Sequence, residues 1–144
     1  MGATQQRQTV VSHHCWLIRS GVERAKPRRL LMDEFTKAYI DCALWSSTDD
    51  DGESLDRHYG ITDFHPDAIK AMEADCQSFQ IAHEDKIAGN LRRAGHDFWL
   101  TRQRHGAGYW DGDWAEDVGK VLTDAAHNYS EVDLWVGSDG KIHC

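Results

Sequence analysis

The run Ala94–Trp114, "AGHDFWLTRQRHGAGYWDGDW", decides how the chain is read. Its parts "DFWLTR" and "AGYWD" flank the tight segment "QRHG", a pattern that predicts a β-hairpin over 97–111. Pairing Arg102 with Ala107 sets Leu100 opposite Tyr109, Trp99 opposite Trp110 and Phe98 opposite Asp111. One face then carries Phe98, Leu100 and Tyr109, the other Asp97, Trp99, Thr101 and Trp110. A sheet with one wet face alternates apolar with polar residues, yet both faces here hold large aromatics. Either helices cover both sides, or a tryptophan face is kept for a partner. Gly106 and Gly108 supply the turn, and Gly95 caps the helix before it.

Upstream, Pro66 suits a first helical turn, and Ile69, Met72, Cys76, Phe79, His83, Ile87 and Leu91 repeat every three or four positions. This predicts one long helix over 66–94, ~43 Å if unbroken, with Gly89 and Asn90 as the place for a bend. His83 on that stripe reads as a boundary residue rather than a ligand. Asp33 is an N-cap for a helix over 33–45. Downstream, Asp113 and Glu116 form a capping-box-like start for a helix over 114–129. Strands over 132–136 and 140–143 turn at Asp139 and Gly140, with Val132, Leu134 and Val136 inward and Trp135 outward. The predicted class is therefore α+β, a small antiparallel sheet of two hairpins packed by about three helices, one of them long. Trp99, Trp110 and Trp135 would align on one sheet face, either as a recognition surface or as a second core layer under the long helix.

The chain has 144 residues and a net charge of −8, a length that suits one domain. The charge is unevenly divided. Residues 1–31 hold six Lys/Arg against Glu23, whereas 32–144 hold ten Lys/Arg against twenty-three Asp/Glu, a net of −13. The first segment reads as a basic, poorly ordered extension and 32–144 as the single folded domain, with Met32 as a candidate start. An acidic body repels nucleic acid phosphates, so direct nucleic-acid binding is not expected. Neither a ~20-residue apolar span nor a signal-peptide pattern is present, which predicts a cytoplasmic protein without membrane contact. Cys15, Cys42, Cys76 and Cys144 form no C-x-x-C pair and read as free thiols.

Chemistry-bearing groups are few. The acidic loop over 46–65 faintly resembles a calcium loop, but Ser47 and His58 stand where the first and twelfth ligands belong. "HGAG" lacks the following helix and lysine of a phosphate loop. No metal and no cofactor is expected. His96, Asp97 and Asp111, with Asp113, are candidates for an acid or metal cluster, and His105 with Arg102 and Arg104 for an anion-handling one. Hairpin geometry puts His105 roughly 20 Å or more from His96 and Asp97, so the histidines would not share a site.

The stretches "FTKAYIDCALWSSTDDDGESLDRHYGITDF", "AGHDFWLTRQRHGAGYWDGDW" and "VDLWVGSDGKI" together resemble a family of small proteins encoded by tailed bacteriophages and prophages. The similarity covers about residues 32–144, and its most specific part runs from Gly95 to Asp111. The resemblance implies a phage product acting in a bacterial cytoplasm and implies no reaction. The expected function is then an acidic accessory protein, with counter-defence as one setting, that binds a host or phage protein through Trp99, Trp110, Trp135, Tyr109 and Arg102. Nucleic-acid mimicry is one form of this, and a homodimer that buries the tryptophan face is another outcome. The alternative is a small hydrolase or nuclease-like enzyme using His96, Asp97 and Asp111, or His105.

Overall fold

A computed structural model describes residues 32–144, and the basic segment 1–31 lies outside the described residues. The chain runs through α1 (Glu34–Ser46), two single-turn 3-10 helices (Leu55–Arg57 and Ile61–Asp63), α2 (Pro66–Ala82) and the one-turn α3 (Glu84–Ile87). It continues through α4 (Leu91–Arg102), α5 (Glu116–Ala126) and a two-stranded antiparallel pair, β1 (Trp135–Val136) and β2 (Ile142–His143). Helices dominate, and the expected sheet of two hairpins is not formed. Among the described residues no helix is long and apolar enough to cross a membrane.

Local sequence explains most of these elements. Asp33 caps α1, its Oδ1 accepting the Thr36 N–H at 2.7 Å. Pro66 occupies the first turn of α2, where His65 Nδ1 accepts the Asp67 N–H. The expected long helix breaks twice: at His83, whose φ of −128° and ψ of 25° end α2, and at Gly89 between α3 and α4, whose φ of 82° favours glycine. The C-terminal pair is shorter than its pattern suggested. It keeps the expected turn, with Gly140 at φ 78° and Trp135 outward opposite His143.

The principal correction lies at "GHDFWLTRQRHGAGYWD". Residues 95–102 are helical rather than a strand, and Trp99 does not pair with Trp110. The physical reason is position. Within α4, Ala94, Gly95 and every residue from Asp97 to Arg102 are buried, so apolar side chains occupy both parities and no solvent face marks the helical period. What reads as a hairpin turn at "QRHG" is a helix ending: Arg104 N–H donates to Thr101 O and His105 N–H to Leu100 O, with Arg104 at φ 60°. These are the two bonds of a Schellman motif, with arginine where glycine is usual.

Two glycines change meaning with it. Gly95 ends no helix: a Cβ there would collide with the Phe35 carbonyl, so α4 meets the backbone of α1 at this point. Gly108 lies over Thr101, whose Oγ1 accepts the Tyr109 N–H. Asp113 does not cap α5; Ala115 is the N-cap, without a side-chain bond, and Glu116 and Asp117 supply the favourable first-turn charge.

The core centres on Phe98, whose ring lies 4.2 Å from Phe79, 5.1 Å from Tyr129, 5.3 Å from Tyr39 and 5.8 Å from Phe35, centroid to centroid. Arg102 ties this core together. Its guanidinium donates to Asp75 of α2, to the Tyr39 hydroxyl of α1, and twice to the Ser130 carbonyl after α5. Next to it, Gln103 exchanges both of its amide bonds with the Val132 backbone, which fixes the path into β1.

Candidate functional site

α1, α4 and the loop after α4 together line an open cleft of about 520 Å³. Its floor is Ala38 and Cys42 from α1 with Leu100 from α4. Trp45 and Asp41 come from α1, Arg92, Arg93, His96 and Asp97 from α4, and Asp111 and Asp113 from the loop. Helical spacing does part of this work, since positions 38, 42 and 45 share one face of α1, as do 93, 96, 97 and 100 of α4. The loop is held over α4 by Tyr109, whose hydroxyl donates to Ala94 O at 2.6 Å, and by the Trp114 indole.

Asp97 is the buried charge of this cleft, only 4 % exposed. Trp114 Nε1 donates to its Oδ2 at 2.8 Å, and His96 Nδ1 lies 3.5 Å from its Oδ1. The His96 ring stacks on Trp45, 6.1 Å between centroids. Asp111 accepts the Gly108 N–H at 3.2 Å, and Asp41 pairs with Lys37 at 2.9 Å. Burial, reinforced by Asp97 and Asp41, pushes the Cys42 thiol up to about 12. It is therefore protonated at neutral pH and no nucleophile. The Tyr109 phenol is likewise pushed up, by burial and then Asp97, and acts only as a donor.

The structure thus brings His96, Asp97, Asp111 and Asp113 to one cleft. His105 stands on the exposed turn past α4, outside the cleft lining. Of the expected binding residues, Trp99, Tyr109 and Arg102 are interior. Trp99 is 1 % exposed and its Nε1 donates to Ser46 Oγ, so no surface can include it. Trp110 and Trp135 are 55 % and 53 % exposed. They border different hollows: Trp110 flanks Trp114, Gly119 and Thr123, and Trp135 flanks Tyr59 and the acids Asp49, Asp50 and Asp51. Among the described residues no three His, Cys, Asp or Glu side chains converge as a metal-ligand set.

Trp45, Arg92 and Arg93 were missing from the sequence-derived site. Trp45 carried a usable signal, its spacing behind Ala38 and Cys42. The arginines did not, because in an unbroken 66–94 helix they stand in the last turn, where basic residues simply suit the dipole. The chain matches no family model, no curated protein and no solved structure.

Proposed function

We propose that the protein is a phage-encoded accessory protein that binds a basic host or phage protein in the bacterial cytoplasm, with counter-defence as its setting. The observation that carries this is the pair of half-exposed indoles, Trp110 and Trp135, on residues 32–144 with their net charge of −13. Tryptophan supplies a large share of interface energy when covered, and an acidic surround steers a basic partner while excluding nucleic acid. Trp135 beside Asp49, Asp50 and Asp51 is one such combination. The phage setting rests on the sequence resemblance.

The test is capture by the full chain and by a Trp110→Ala/Trp135→Ala variant from the same phage-infected lysate. Retention of a basic protein that is lost in the variant and weakened by salt supports the reading. Equal retention by both chains removes it. Light scattering on the two chains separates self-association, which appears as a dimer mass that the variant loses.

A second reading, a small hydrolase, is favoured by one observation: His96 stands in the cleft beside a fixed carboxylate. In that reading the imidazole takes a proton from the attacking water and returns it to the leaving group, while Asp97 holds the ring. Turnover unaffected by both His96→Gln and Asp97→Asn would remove it.

A further inference from the structure

We infer that the α1–α4 cleft is a binding site for a small zwitterionic ligand of the amino-acid or dipeptide class. Arg92 and Arg93 receive its carboxylate, Asp111 and Asp113 its ammonium group, and Trp45 packs against its side chain. The inference is independent of partner binding and stands whether or not any bond is broken in the cleft.

The first argument is that charges of both signs line one cavity without neutralising each other. Of the ten Lys/Arg among the described residues, Lys37, Arg57, Lys86, Arg102, Arg104 and Lys120 lie within ion-pair distance of a carboxylate; Lys70, Lys141, Arg92 and Arg93 do not, and of these four Arg92 and Arg93 line the cleft. Asp111 accepts only a backbone N–H, and Asp113 has no hydrogen-bond partner among the described residues. Asp97 is committed to Trp114 and His96, and Asp41 to Lys37, so the acids left for a ligand are those on the loop. A guanidinium and a carboxylate lining the same space are both satisfied by a ligand that brings the opposite charge to each.

The second argument is the charge of residues 32–144. Their net −13 repels a purely anionic ligand, and a purely cationic one leaves the arginines unmatched. A zwitterion carries no net charge and meets both.

The third is size and lining. A volume of about 520 Å³ is within the range of small-molecule pockets, and the floor of Ala38, Cys42 and Leu100 is uncharged, the thiol being protonated. That suits an apolar side chain between two charged ends.

The probe is L-alanyl-L-phenylalanine, with its N-acetyl derivative and its C-terminal amide, titrated into the full ¹⁵N-labelled chain by NMR. The zwitterion is expected to shift the Trp45 indole and His96 signals saturably with a millimolar or tighter Kd, and each blocked form to bind about tenfold more weakly or worse. Arg92→Gln/Arg93→Gln should reduce zwitterion affinity to that of the amide, and Asp111→Asn/Asp113→Asn to that of the N-acetyl form. All four sites are exposed, and a preserved amide spectrum verifies that each variant is folded. Absence of cleft shifts at roughly 10 mM zwitterion, or blocked forms binding within about twofold of it, overturns the inference.

Discussion

At the scale of single residues, two positions carry opposite expectations. Gly95→Ala exchanges the poorest ordinary helix former for the best, a gain of about 1 kcal/mol if α4 stood alone. It does not stand alone. The new methyl group would enter the shell of the Phe35 carbonyl, with Phe35 C at 2.8 Å, and those are backbone atoms held by the hydrogen bonds of α1. Overpacking of this kind costs about 1–3 kcal/mol, which outweighs the propensity gain, so a net loss of about 1 kcal/mol is expected in urea unfolding. An unchanged or raised midpoint would mean that the two backbones are not in contact. Arg104 is the reverse case. Held at φ 60° at the end of α4, with only exposed contacts to Glu131 and His127, it gains little from being arginine. Arg104→Gly should stabilise by about 0.5–1 kcal/mol, read as a higher melting temperature. Both glycine-type arguments were out of reach in the sequence, because "AGH" and "QRHG" look the same whether a glycine ends a helix or lets one pass, and whether a turn joins strands or finishes α4.

At the scale of elements, legibility followed solvent. α1, with Asp33 as its cap, and the outward-facing Trp135 were readable because one end or one side meets water. α4 was not, since nearly all of it after Ala94 is covered and its pattern of Phe98, Trp99, Leu100 and Thr101 fits period 2 as well as 3.6. The same misreading blurred the site: Asp113, read both as a helix cap and as a member of the acid cluster, caps nothing and lines the cleft. The C-terminal pair, which was legible, carries a pH expectation. The Lys141 backbone N–H and then His143 hold the Asp139 carboxyl below its usual range. A carboxyl with a folded-state pKa below its unfolded value, about 4, contributes stability that is complete above that value and lost as pH falls through the folded one. Hydrogen exchange at the Gly137 N–H, bonded to Lys141 O at 2.9 Å, should therefore quicken relative to core amides as pH drops below about 4. In Asp139→Asn that pH dependence should disappear, and its persistence would assign the effect to another group.

At the scale of the whole molecule, the elements are joined less by sheet than by one guanidinium. Arg102, buried at 3 % exposure, connects α4 with α1 through Tyr39, α2 through Asp75 and the path to β1 through Ser130. It also lies 5.6 Å and 5.2 Å from the ring centroids of Phe98 and Tyr129. Its sequence neighbours make it resemble a surface-facing strand residue, and only the convergence of three distant segments reveals its role. Arg102→Met keeps much of the volume and removes every bond. Asp75 and Ser130 are both open to solvent in part and can be rehydrated, so the cost falls on the buried Tyr39 hydroxyl, left without its partner. At about 1–3 kcal/mol for that group, the loss is about 2 kcal/mol, a sizeable part of the 5–15 kcal/mol that holds a domain together. The expected readout is a fall of roughly 8 °C in melting temperature. A double-mutant cycle with Tyr39→Phe should show coupling above about 0.5 kcal/mol, because the two side chains share a bond. Additive effects, or a loss under about 1 kcal/mol, would mean that the segments are held by apolar packing around Phe98 and that Arg102 only fills space among them.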